Sequence, residues 1–173
     1  FVSRQGPWIV RERARRAIAA SDWSPGTRIW WRGDLVALVV SPDGVSIGPD
    51  RMPYVEPGSS LRGVFERWAR AEALRELPDR CLALAQSCSE TVAVVRVRSQ
   101  RTRWGSCSPR RVIALNWRLM QTPASVSDYV IFHELMHLRQ PNHSRRFWRE
   151  VESVCPGWRE AEAWLRRHGR DVL

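Results

Sequence analysis

Asp128-Tyr129-Val130-Ile131-Phe132-His133-Glu134-Leu135-Met136-His137-Leu138-Arg139-Gln140-Pro141-Asn142-His143 is the stretch that decides the fold of this chain. The periodicity predicts a helix over residues 123–140, with Thr122 as N-cap, Pro123 at the first helical position, and a stop near Pro141. Val126, Tyr129, Val130, Ile131, Phe132, Leu135, Met136 and Leu138 cover almost every side of it, the pattern of a helix buried inside a domain. His133 and His137, four residues apart, lie one above the other, about 5 to 6 Å apart at Cβ. Both rings can therefore turn a nitrogen toward one zinc ion at roughly 2.0 to 2.1 Å. Glu134 sits about 100° round the helix, outside the ligand plane and beside a metal-bound water, where a general base belongs. A catalytic zinc keeps three protein ligands and an open fourth position, and His143, just past the break at Pro141, is the expected third. The spacing equals that of metzincins, although Gln140 stands where their motif has glycine and no Met-turn follows. With four histidines in the chain, His-Glu-x-x-His arises by chance on the order of a hundredth of a time. Three such groups merely buried in a core, without a metal, would be costly.

Further blocks surround this stretch. They are Arg103-Trp104-Gly105-Ser106-Cys107-Ser108, Leu115-Asn116-Trp117-Arg118-Leu119, Asn142-His143-Ser144 and Phe147-Trp148. With Asp128-Tyr129-Val130 and His133-Glu134-Leu135, they resemble the YgjP-like metallopeptidases, zincin-fold proteins similar to the SprT-like proteases, over roughly residues 60–169. The resemblance implies zinc at His133, His137 and His143, with Glu134 as base. It also places Cys107 near the site. Because two histidines and a cysteine can hold zinc, Cys107 is the alternative third ligand.

Composition bounds the remaining readings. A chain of 173 residues suits one domain, or one domain with a small appendage. No apolar run approaches the roughly 18 residues of a membrane span and no signal-peptide pattern opens the chain, so a soluble, cytoplasmic protein without membrane partners is expected. Phe1 is not an initiator methionine, and an upstream segment is expected to have preceded it. Cys81, Cys88, Cys107 and Cys155 show no paired spacing and read as reduced thiols, the first two as small core residues. The net charge of +10 comes from arginine alone, since the chain has no lysine. The arginines are scattered and tied to no reader motif, so a solvated surface is favoured over a nucleic-acid face. Ten tryptophans could stack on bases, but Trp68, Trp117, Trp148 and Trp164 fall at core-facing spacings.

The other elements follow in chain order. Residues 7–20 read as an amphipathic helix, and residues 35–40 and 45–47 as a hairpin round Ser41-Pro42-Asp43-Gly44. Three prolines make residues 48–58 an extended connector. Leu61, Val64, Phe65, Trp68, Leu74, Leu82 and Leu84 recur at helical spacing, with Pro78 expected to kink or split that helix. Residues 92–98 and 112–119 read as two paired strands, and helices follow near Ser144 and Trp158. His168 reads as solvated or capping. The expected fold class is α+β: a zincin-like domain over residues 59–173, with a small, mostly antiparallel sheet packed on the active-site helix. An appendage of helix, hairpin and connector occupies residues 1–58.

The expected chemistry is zinc-dependent hydrolysis of peptide bonds in a peptide or protein substrate, by a zinc-bound water that Glu134 deprotonates. Tyr129, Asn116 and Arg103 are candidates for contacting substrate or the oxyanion. Two alternatives remain: a nucleic-acid-associated protease acting on DNA-bound proteins, and a non-peptidase zinc hydrolase of small amides. Three imidazoles also accept iron, cobalt or nickel.

Overall fold

A computed structural model describes residues 23–41, 43–52 and 59–172. The helix expected over residues 7–20, Pro42 of the hairpin turn and most of the proline-rich connector lie outside the described residues. Two sheets and four helices follow one another along the rest. Strands β1 (Arg28–Trp31), β2 (Asp34–Ser41), β3 (Gly44–Ile47) and β4 (Asp50–Met52) form an antiparallel four-stranded sheet in sequential order. Helix α1 (Leu61–Ser87) leads to β5 (Val94–Arg98), β6 (Gly105–Cys107) and β7 (Val112–Asn116), a three-stranded sheet in the order β5-β7-β6. A 3₁₀ turn (Trp117–Gln121) then delivers the chain to α2 (Ala124–Met136), α3 (Arg145–Val154) and α4 (Trp158–Val172).

Both strands of the expected hairpin form, in the register Val40 to Val45 and Leu38 to Ile47. β1 and β4 were not anticipated. β1 meets β2 through the two-residue turn Arg32-Gly33, both at positive φ (50° and 92°), the backbone hand that matches strand twist. β4 lies inside the stretch read as a connector. The pairing of residues 94–98 with 112–116 is parallel, because the intervening segment contributes β6, which pairs antiparallel with β7. The strand expected to reach Leu119 ends at Asn116, whose side chain caps the 3₁₀ turn by accepting from the Arg118 amide at 3.1 Å.

α1 runs unbroken for 27 residues through Pro78. The carbonyl that loses its donor belongs to Leu74, on the exposed side of the helix, where water can satisfy it. Of the residues at helical spacing, Leu74 and Leu82 are 62% and 48% exposed, while Val64, Phe65, Ala69, Ala73, Leu77, Cys81 and Leu84 make the buried stripe.

α2 is buried nearly all round, as its sequence predicts. Its start differs in detail. Pro123 is the N-cap, and the Thr122 hydroxyl instead donates back to the Leu119 carbonyl at 2.8 Å, closing the 3₁₀ turn. The four-stranded sheet fixes this entrance. Arg32 and Gly33 donate backbone N–H groups to the Met120 and Gln121 carbonyls, and a Cβ at Gly33 would sit 2.8 Å from the Pro123 Cα. Trp31, 1% exposed, packs its ring on Phe65 and Trp68, so β1 shares one core with α1 and α2.

Two ion-paired joints frame α2. Arg80 on α1 grips Asp128 in two-point fashion, with Nε 2.8 Å from Oδ1. Arg139, just past the helix end, donates to Glu90 at 2.6 Å, to Glu150 on α3 at 3.0 Å and to the Cys88 carbonyl. Glu90 also accepts from Arg111 at 2.7 Å, which extends the joint to the segment before β7.

Candidate metal centre

α2 ends one residue before His137, which takes the C-cap position with helical dihedrals. Beyond it, the amides of Leu138, Arg139 and Gln140 bond back to Leu135 and Met136, tightening the last turn. Pro141 cannot continue the helix. Asn142 accepts from the Ser144 amide at 3.3 Å, and Ser144 caps α3 by accepting from the Phe147 amide at 3.4 Å. This turn brings His143 back over the end of α2.

Ligating atoms of His133, His137 and His143 all lie within 4.8 Å of one another. The Nε2 atoms of His133 and His143 are 3.0 Å apart, and ring centroids in the trio are 4.7 to 5.0 Å apart. Tetrahedral zinc at 2.0 to 2.1 Å from each nitrogen requires about 3.3 Å between ligands, so small adjustments suffice. Phe147, fully buried, makes the floor: it stacks on His137 at 4.6 Å and meets His133 and His143 edge-on.

Electrostatics favour neutral, metal-ready imidazoles. Burial, reinforced by the neighbouring His137 and His143, holds the His133 pKa down at about 4. Burial also lowers that of His137, whose Nδ1 lies 3.0 Å from the Gln140 carbonyl. With a proton on Nδ1 for that bond, Nε2 of His137 presents its lone pair. The Nδ1 of His133 is buried with no hydrogen-bond partner among the described residues, so packing rather than a second hydrogen bond orients this ring. The donor set and its convergence fit a divalent ion.

Glu134 is 7% exposed, with no hydrogen bond or ion pair among the described residues. Burial pushes its carboxyl up to about 7, against the opposing pull of the Arg103 charge. Its place is created by an absence. A Cβ at Gly105 on β6 would lie 2.7 Å from Glu134 Cγ and 2.8 Å from Oε1, distances only glycine avoids.

The other residues singled out in the sequence are distributed as follows. Cys107 stands outside the histidine trio; its thiol contacts the Ser108 carbonyl at 3.7 Å, and burial raises its pKa to about 11. Asn116 is fully buried with both amide hydrogens engaged, by the Gln100 carbonyl at 2.7 Å and the Arg103 carbonyl at 3.0 Å. It therefore has no donor left for an oxyanion and instead holds the loop that leads into Gly105. Arg103 is exposed and reaches the site through its charge on Glu134. Tyr129, one turn before His133, sits edge-on to that ring at 5.9 Å and stacks on Trp158. His168 does not stand in open solvent; it packs between Trp30 and Trp164, at 4.7 and 5.1 Å. Gly105, Phe147 and Arg139 were not anticipated as site residues. Gly105 and Phe147 entered the sequence reading only as members of the blocks that carry the family resemblance.

Two imidazoles from the C-terminal end of α2 and one from the turn before α3, converging beside a buried carboxylate, fit a metal-dependent hydrolase. The profile of the family described as "YgjP-like, metallopeptidase domain" matches residues 1–168, and the chain belongs to that family. Its match covers the four-stranded sheet as well as the helical part. No curated protein sequence matches. Among solved structures, the chain is similar to the metallopeptidase zymogen abylysin of Pyrococcus abyssi, at 26% identity and a TM-score of 0.47, over 55% of this chain and 97% of that one. It is also similar to the metallopeptidase zymogen jannalysin of Methanocaldococcus jannaschii, at 20% identity and a TM-score of 0.45, over 51% of this chain and 92% of that one. Among the described residues no helix is long and apolar enough to cross a membrane.

Proposed function

We propose that the chain is a zinc-dependent peptidase in which His133, His137 and His143 hold the ion and Glu134 is the general base. One observation carries the reading: three imidazoles converge beside a buried carboxylate, Glu134, that has no partner among the described residues and occupies the space left by the missing side chain of Gly105. A divalent ion held by His133, His137 and His143 would supply Lewis-acid polarisation of the scissile carbonyl and would lower the pKa of a water. Glu134 takes the proton of the attacking water and returns it to the leaving amine, a shuttle served by a carboxyl whose pKa lies near neutrality. β6 is an edge strand of its sheet and packs against α2, so an extended peptide can add alongside it by backbone hydrogen bonds.

Glu134→Gln tests the base directly. The variant should keep its metal, measured by elemental analysis, and lose casein cleavage by about 100-fold or more. Undiminished turnover would refute the role. Turnover of small formyl amides without casein cleavage would favour the small-amide reading.

A further inference from the structure

The opposite edge of the small sheet carries a second feature. Glu134 stands against β6, whereas a cavity of about 260 Å³ opens beside β5, lined by Arg70, Leu74, Val97, Arg98, Ser99 and Trp117. Its walls combine apolar carbon with cationic nitrogen. Leu74, 62% exposed, is an apolar side chain that the core does not use.

Charge in this corner is not balanced. Arg62 and Arg70 share one carboxylate, Glu66, at 3.1 and 3.0 Å. Arg98 and Arg118 have no ion pair among the described residues. Arg70 and Arg118 both lie over the Trp117 ring, at 5.5 and 4.5 Å. Arg118 is half-buried, and burial lowers its pKa, opposed by the Glu66 charge and reinforced by those of Arg70, Arg62 and Arg101. A positive cluster with one shared counter-charge is destabilising by itself and gains from an added anion.

The neutral polar groups are also unbalanced. Among the described residues, the indole N–H of Trp117, a residue 2% exposed, is buried without an acceptor, and the side-chain carbonyl of Gln100, next to Ser99 of the cavity wall, is buried without a donor. Unpartnered groups of this kind are rare in folded proteins.

We propose that this cavity binds a small organic carboxylate with an apolar side chain, its two oxygens facing the Arg98 and Arg70 guanidinium groups and its carbon body on Leu74 and Val97. A planar two-oxygen anion matches the guanidinium fork. Bare phosphate would leave the apolar walls uncovered. The volume, below the roughly 300 to 1,000 Å³ of ordinary ligand pockets, has room for one side chain and its carboxylate. Nucleobase stacking is not expected, since Arg70 and Arg118 already lie over the Trp117 ring. The carboxylate could belong to the C-terminal residue of a peptide or to a free short-chain acid.

The test is titration of the full chain, followed by the indole N–H resonance of Trp117, which Trp117→Phe identifies. N-acetyl-L-leucine stands for a peptide C-terminus, 4-methylpentanoate for a free acid, and N-acetyl-L-leucinamide and inorganic phosphate are controls. Saturable binding of either acid, weakened about tenfold or more in Arg98→Gln at an unchanged unfolding midpoint, is the expected result. The tighter of the two acids identifies the source. Equal binding of the amide, binding of phosphate alone, no binding, or an Arg98→Gln variant that binds like the parent would overturn the proposal.

Discussion

The ion-paired joints that anchor α2 and the histidine face at its C-terminal end treat polar side chains in opposite ways. At the joints, Asp128 is gripped by Arg80, and Arg139 reaches Glu90, Glu150 and a backbone carbonyl, so each charge has its partners. At the histidine face, Glu134 and His133 Nδ1 have no hydrogen bond among the described residues, and three imidazoles face one another. Paired groups hold the helix in place; unpaired groups on its working face raise its energy and are tolerated only where something else completes them. The difference separates the frame of the site from its chemistry.

The largest break comes from filling the space at Gly105. Gly105→Ala should displace the Glu134 carboxylate and lower casein cleavage by about 100-fold while metal content stays near that of the parent. Retained activity would show that Glu134 tolerates displacement and has no fixed catalytic post.

Cutting the frame should have a different signature. Arg139→Ala leaves Glu90 and Glu150 short of a partner and should cost about 2 kcal/mol in urea unfolding, with partial recovery in Arg139→Lys. Metal affinity should fall with it, because Arg139 lies in the turn between His137 and His143. A stability loss with no change in metal affinity would separate the joint from the site.

The third effect concerns the unpaired groups in metal-free protein. Glu134 has its folded pKa raised to about 7 from an ordinary 4.5, so its contribution to stability is fully present below about 4.5 and lost as pH rises through about 7. His133 runs the other way: held at about 4 instead of 6.5, it contributes stability above about 6.5 that is lost as pH falls through about 4. Glu134→Gln should therefore stabilise metal-free protein at pH 8 by about 1 to 3 kcal/mol and leave it little changed at pH 4. Equal effects at both pH values would place Glu134 in water rather than in the core.

Legibility from sequence followed the range of the interactions involved. The buried metal helix, the hairpin, α1 and the closing helices were readable because period and turn chemistry are local. Four features were not. The Arg32-Gly33 turn lacks the Asn or Asp that usually announces such a hairpin, and Pro49 disguised β4 as connector. β5 and β7 pair in parallel because β6 lies in the loop between them, and Gly105 matters only for the side chain it meets across the fold. Of the candidate site residues, the histidines and Glu134 were legible from spacing. The actual partners of Asn116 and His168 come from chain segments distant in sequence, which no local pattern encodes.

The most direct test of the account is the metal content of protein purified without added metal, measured for the parent and for His143→Ala and Cys107→Ala. The account predicts about one divalent ion, zinc, per parent chain, much less in His143→Ala, and no loss in Cys107→Ala. A His143→Ala protein that keeps its full metal while Cys107→Ala loses it would contradict the three-histidine centre.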